Sequence, residues 1–373
     1  TANNHSYDTG LVGYKRTIDV VHEAGMEHLG TRQNPDDPAF EIVEINDIKI
    51  GMLCYTYAYS VDSKGSPSLN GMPHISEAGI CNYFHSGSLD AFYTEVDGYL
   101  QEMEAQGAEA TMMFIHWGVE YHTNPNDEQE AIAQKLCDLG IDVIVGGHPH
   151  VVQPVDLLQS TVDPEHKTVC LYSMGNAVSN QRQGNLQAIS TAHTEDGILF
   201  TFTFAKYSDG TVAVQSTSAI PTWLNLTSSP RQYIIIPLVE SEMDNWQTQF
   251  DLTNGAYAAC KDSYDRTMAL IGEGMEKAQT YYASADAAKQ AKIMAAEAEA
   301  TSILKVQQAM ADSLRMLNEA APNDQVIKLK SLEAMQKIAD GKATKIIIPS
   351  EIQGLAGLAA SAKALLEDDK PTA

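Results

Sequence analysis

Ile141-Asp-Val-Ile-Val-Gly-Gly-His-Pro-His150 decides how this chain is read. Its β-branched run has the character of a buried strand. The two glycines are expected to let the backbone turn as it leaves the sheet. Pro149 stiffens the loop that presents His148 and His150. The C-terminal ends of strands are where open α/β sheets place their ligands. The same pattern occurs earlier, as Thr111-Met-Met-Phe-Ile115 followed by His116-Trp117-Gly118. A helical pattern from Asp127 to Gly140 lies between them. The three pieces predict a β-α-β unit with a histidine at the C-terminal end of each strand. Chemistry of the same kind opens the chain, in Ala2-Asn3-Asn4-His5.

Working outward, 373 residues leave room for two domains, and 44% apolar residues can build a sizeable core. The formal net charge of −25 argues against nucleic-acid binding, since a phosphate backbone would be repelled. The five cysteines (Cys54, Cys81, Cys137, Cys170 and Cys260) include no C-x-x-C pair, so buried free thiols are expected rather than a disulfide framework. No apolar run is long enough to span a bilayer, and no signal peptide is visible. The first residue is Thr1, inside a loop of functional character, so a fragment lacking its true N-terminus is expected.

The elements read as follows. A helix runs from Gly13 to a cap at Gly25. Phe40–Tyr57 forms two strands joined at Asn46-Asp47. Residues 60–88 form an excursion loop, and a helix follows to Gln106 with Ser88 and Asp90 available as caps. After His150 come short strands at 151–158, 168–173, 197–205 and 211–216, with a hairpin turn at Ser208-Asp209-Gly210. Helix-alternating strands followed by antiparallel ones suit two sheets packed face to face with helices outside. From Ala283 to Ala321 the sequence is strongly helix-forming. Ile303, Val306, Met310, Leu314 and Leu317 make one apolar stripe, read either as a face docked on its own domain or as a self-associating coiled coil. Pro322 ends this helix. A second helix at 324–339, a strand at 345–349 and a Gly/Ala-rich amphipathic segment complete the reading.

Neutral imidazoles at His116, His148 and His150, on neighbouring strand ends, suit a divalent metal such as Zn, Mn or Fe, and Asn4 can add a carbonyl oxygen. His5 adjoins Asn4, so one can hold a metal while the other gives a proton to a leaving group. Glu120 and Tyr121 either support His116 by hydrogen bonds or pack the loop. Asp142 reads as a strand-edge residue. Tyr172-Ser173-Met174-Gly175-Asn176 either lines the pocket or is a plain strand–turn. His22, His28, His74, His85, His122, His166 and His193 read as surface or structural. A G-x-S-x-G elbow and a P-loop are both absent from the sequence.

Four stretches carry a family resemblance: Ala2–Gly10, His116–Tyr121, Ile141–Pro154 and Tyr172–Asn176. Together they resemble the CapA family of capsule and poly-γ-glutamate synthesis proteins over residues 1 to about 280. That family is similar to calcineurin-type metallophosphoesterases. The resemblance implies an α/β (α+β) fold, a four-layer αββα sandwich incomplete at its N-terminus and followed by a mostly helical tail. It implies Asn4, His116 and His148 on one metal, His150 on another, and His5 as the catalytic histidine. Asn3, Glu120, Tyr121, Ser173 and Asn176 would support them. Two earlier family motifs would fall ahead of Thr1, so this chain is expected to hold one or no metal where the family holds two. An anionic cell-surface polymer and capsule synthase membrane subunits would be the partners, at the extracytoplasmic face of the membrane. Residues 286–367 resemble the C-terminal part of stomatin–prohibitin–flotillin (SPFH, band 7) proteins. That implies oligomerisation through the tail and, if the tail dictates, a cytoplasmic location. The junction is expected near Thr280–Ala287.

Overall fold

The computed structural model describes residues 1–185, 189–319 and Leu329. Helix α1 (Gly10–Glu23) follows the N-terminal loop. Strands β1 (Glu41–Ile45) and β2 (Ile48–Tyr57) form a hairpin whose turn residues Asn46 and Asp47 both have left-handed backbones, as the Asn-Asp pair predicts. The excursion that follows contains short strands β3 (Ser60–Val61), β4 (Pro67–Ser68) and β5 (Tyr83–Phe84). The predicted α/β run then appears: α2 (Leu89–Ala105), β6 (Ala110–His116), α3 (Asp127–Asp138) and β7 (Val143–Gly147). Strands β8 (Val155–Gln159), β9 (Lys167–Leu171), β10 (Asp196–Lys206), β11 (Val212–Ser228) and β12 (Arg231–Pro237) follow. The short α4 (Trp246–Gln249) precedes α5 (Asn254–Glu319).

Seven strands form one sheet in the order β1-β2-β6-β7-β9-β8, with β5 joining the end of β2. Strands β2, β6, β7 and β9 are parallel to their neighbours in this run, whereas β1 and β8 are antiparallel edges. Strands β10, β11 and β12 form a second, antiparallel sheet. Alternation along the central strands dictates the layering. Leu53, Tyr55, Met113, Ile115, Ile144 and Cys170 point to one face, where α2 and α3 cover them. Helix α3 contributes Ile132, Ala133 and Leu136, each fully buried and each contributing roughly 1–3 kcal/mol by leaving water. Its start is fixed by a capping box between Asn126 and Gln129.

The other face, with Ile50, Met112, Val143, Val145 and Val169, packs against Phe200, Phe202 and Phe204 of β10 and Ile271, Met275 and Ala278 of α5. Helix α5 also covers the second sheet, where Cys260 and Tyr264 pack with Trp223 and Ile236. Helix–sheet–sheet–helix layering and a helical C-terminal tail are therefore present, as the resemblance implied. All five cysteines are buried free thiols.

Helix α5 begins at Asn254, well before the expected Ala283, and runs unbroken through Thr280–Ala287. Glycines at 255, 272 and 274 hide this in the sequence, because glycine disfavours a helix interior. Gly274 is needed for contact: a Cβ there would lie 1.7 Å from the Val155 carbonyl oxygen. Strand β11 extends twelve residues past the expected Ser216, and β12 was not foreseen. Residues Thr1–Ile293 form one compact unit. Beyond it, Ile303, Val306, Met310 and Leu314 are 55–68% exposed. The second helix, the 345–349 strand and the closing segment expected from the sequence lie outside the described residues. No helix among the described residues is long and apolar enough to cross a membrane.

Candidate functional site

The parallel register sets His116 beside Gly147 on β7 and Thr56 on β2, so the ends of three adjacent strands meet. Gly146 and Gly147 do not make the turn, contrary to the expectation, since neither has a left-handed backbone. His148 (φ 100°) and His150 (φ 58°) bear that conformation instead. Such a backbone costs a non-glycine residue about 1–3 kcal/mol and persists only where the surroundings impose it. Gly146 serves close approach: a Cβ there would stand 2.0 Å from the Tyr172 carbonyl oxygen and 2.5 Å from Trp117 Nε1. Trp117 Nε1 donates to that carbonyl at 2.8 Å, Trp117 N to Gly147 O at 3.1 Å, and Met174 N to Gly146 O at 3.0 Å. The three motif stretches are thereby knitted at one sheet edge.

Asn4, almost fully buried, accepts from His116 Nε2 at 2.9 Å through its Oδ1. The His116 and His148 rings lie 4.8 Å apart, and Tyr57 packs against both, at 6.5 and 4.9 Å. Burial, reinforced by the neighbouring imidazoles, pushes the His116 pKa down to about 3 and that of His148 to about 4. Both rings are neutral at pH 7, the form that donates an electron pair to a metal. His148 Nδ1 is buried with no hydrogen-bond partner.

His150 faces a different set of groups. Its Nδ1 donates to Asn176 Oδ1 at 3.0 Å, and its Nε2 lies 3.7 Å from Glu120 Oε1. Tyr121 lies over the His150 ring at 6.1 Å, and Tyr121 N donates to Pro149 O at 2.8 Å. Glu120 and Tyr121 therefore attend His150 rather than His116. Buried Gln153 holds their loop, its Nε2 donating to His122 O and Asn124 O. Ser173 is fully buried behind the pocket wall, where its Oγ accepts from Gly175 N at 3.4 Å.

His5 is exposed. Its ring lies near enough to lower the pKa values of His116 and His148, and its Nδ1 donates to Asp8 Oδ2 at 2.7 Å. That hydrogen bond is the first cause of the lowered Asp8 pKa, and Asn70 Nδ2 donates to Asp8 Oδ1 at 3.2 Å. Asn3 shapes the turn beneath, its Oδ1 accepting from His5 N at 2.9 Å. Sequence reasoning missed Tyr57, Asp8 and Asn70. Asp8 could have been found three residues after His5, inside the same motif. Asp142 is a strand-edge residue as expected, accepting from Thr111 N.

Beside His116, His148 and His150 opens a cavity of about 340 Å³, whose other lining includes Met174, Asn176, Ile198, Leu199 and Ile235. Among the described residues, no group of three or more His, Cys, Asp or Glu is placed to hold a metal. The His116–His148 pair with the Asn4 carbonyl is a partial donor set for one divalent ion, and the orphaned His148 nitrogen has the chemistry such an ion would satisfy. His150 stands apart, with Asn176 and Glu120.

Residues 1–181 match the family described as bacterial capsule synthesis protein PGA_cap. All four motif stretches fall inside that span. The chain is 29% identical over 190 residues to the capsule biosynthesis protein CapA of Bacillus anthracis, an alignment covering 48% of this chain and 39% of that one. It is 28% identical over 183 residues to the PGA biosynthesis protein CapA of Bacillus subtilis, covering 48% and 42%. An uncharacterized protein of Methanothermobacter thermautotrophicus is 44% identical over 54 residues, covering 14% of this chain and 17% of that one. The chain thus spans about two-fifths of the length of its two Bacillus relatives. The PGA_cap match ends well before 286–367, the span read as SPFH-like.

Proposed function

We propose that the PGA_cap segment is a metal-dependent, phosphoesterase-like domain that acts in capsule synthesis on an anionic cell-surface polymer such as poly-γ-glutamate. The supporting observation is the cluster of Asn4 Oδ1, His116 and His148, two neutral imidazoles with one nitrogen orphaned, beside an open cavity. In this reading Asn4, His116 and His148 hold a divalent ion such as Mn, Fe or Zn. Bound, the ion supplies positive charge against an anionic group and lowers the pKa of water. His150, held by Asn176, belongs to the position of a second ion.

His5 supplies the proton. Asp8 accepts from Nδ1 and holds the ring, so Nε2 is the nitrogen that gives a proton to the departing group. Tyr57 covers one side of His116 and His148. Capsule synthase membrane subunits are the proposed partners, at the extracytoplasmic face of the membrane. The test is a phosphodiester assay with added Mn²⁺ alongside metal analysis. Turnover abolished by His5→Ala supports the enzyme, and turnover unaffected by it rejects this role.

The exposed stripe favours a second reading, a non-catalytic scaffold assembled through an SPFH-like tail. Ile303, Val306, Met310 and Leu314 expose apolar surface along one helical seam. Sedimentation of the full chain and of Met310→Glu/Leu314→Glu tests it. An assembly that dissociates in the variant supports tail-driven oligomerisation, whereas a monomer in both removes it.

A further inference from the structure

We infer that Arg266 and Ser263 of helix α5 are positioning residues for His150, acting through Asp196 and Asn176. The inference rests on the reading of His150 as a site residue. Asn176 is the hub. Its Oδ1 accepts from His150 Nδ1, and its Nδ2 donates to His150 O and to Thr194 O, each at 3.0 Å. Its backbone N–H donates to Asp196 O, also at 3.0 Å. One side chain therefore fixes both the imidazole and the left-handed backbone of His150, and it hangs from the start of β10.

What holds the start of β10 is helix α5. The Asp196 side chain is 1% exposed. Arg266 donates to it through Nε and one terminal nitrogen, each at 2.5 Å, and Ser263 Oγ donates at 2.6 Å. A forked guanidinium–carboxylate pair is directional as well as strong, so it locks the Asp196 main chain rather than merely neutralising it. Arg266 also donates to Ala192 O at 3.4 Å, tying the turn that carries Thr194. Of the three carbonyls that accept from Asn176, those of Thr194 and Asp196 lie within this clamp.

The consequence is chemical. An Asn176 Oδ1 acceptor keeps the proton of neutral His150 on Nδ1 and leaves the Nε2 lone pair free toward Glu120 and the open side. A hydrogen bond to the far ring nitrogen is how proteins select the tautomer of a liganding histidine. Loosening the clamp lets Asn176 swing and His150 exchange tautomers, without touching His116 or His148.

The test is the imidazole nitrogen–proton correlation spectrum of the metal-free full chain, with the His150 signals assigned from His150→Gln. Wild type is expected to show His150 protonated at Nδ1 alone. Arg266→Gln is expected to give a tautomer mixture with the His116 and His148 signals unmoved, and Arg266→Lys to restore part of the wild-type pattern. Ser263→Ala, a milder change, decides the matter if Arg266→Gln does not fold. An unchanged His150 pattern in the folded variants overturns the inference. Zinc titration of the same samples separates it from the functional reading: about 10–100-fold weaker binding in Arg266→Gln extends the coupling to the metal. Absence of zinc binding in wild type removes the metal reading, while the tautomer result still decides the positioning role.

Discussion

His116 and His148 lie under cover, whereas His5 lies in the open, and the fold thus sets one kind of side chain in two environments. Burial strips the proton from the first pair, leaving electron-pair donors fixed by strand ends and by Asn4. His5 sits on a surface turn, where its Nδ1 donates to the Asp8 carboxylate. The contrast arises from the fold: a parallel sheet delivers the buried histidines, and an Asn-rich loop delivers the exposed one.

The comparison breaks first at His5. His5→Ala is expected to lower turnover by about 10²–10⁴-fold while leaving metal content unchanged, as general acid–base groups do. Loss of metal in this variant would erase the division. Next is the backbone beneath the buried pair. Gly146→Val is expected to cost about 3 kcal/mol or more in denaturant unfolding, because its Cβ has no space against Tyr172 O and Trp117. Gly147→Ala, whose Cβ would meet only His116 Nδ1 at 3.8 Å, is expected to change stability little.

A pH series sharpens the contrast without mutation. Below about pH 6.5 the unfolded chain protonates His116 and His148, while the folded chain resists until about pH 3 for His116 and about pH 4 for His148. The metal-free protein is therefore expected to lose stability as pH falls through that window and to regain it as pH rises. His116→Gln should flatten the dependence, and an unaltered slope would contradict the assigned environment. The smallest effect is expected at Glu120. Its carboxylate is partly exposed and 3.7 Å from His150, so Glu120→Gln should change metal affinity by less than about tenfold, measured by calorimetric titration.

Much of this was legible in the sequence because it is local. Alternating β-branched runs, the Asn46-Asp47 turn and the Asn126-to-Gln129 cap each carry their own signal. The motif stretches named the residues that converge at the sheet edge, and the PGA_cap match bears out that resemblance. What escaped depends on contacts distant in sequence. Glycines within α5 resemble helix breakers until Val155 is known to press on Gly274. Pro221 and its small polar neighbours hide the length of β11, which pairs on both sides. The partition of Glu120 and Tyr121 to His150 rather than His116 follows from the Pro149 carbonyl, which no spacing rule foretells. Strand β12 was within reach, for Tyr233-Ile-Ile-Ile236 has strand character on its face.

The central claim is that Asn4, His116 and His148 form a divalent-cation site. The most direct measurement is metal content after equilibration with Mn²⁺ or Zn²⁺ and desalting, for wild type beside folded His148→Ala. The account predicts retained metal in wild type that is lost in the variant. Equal metal content in the two proteins would contradict it.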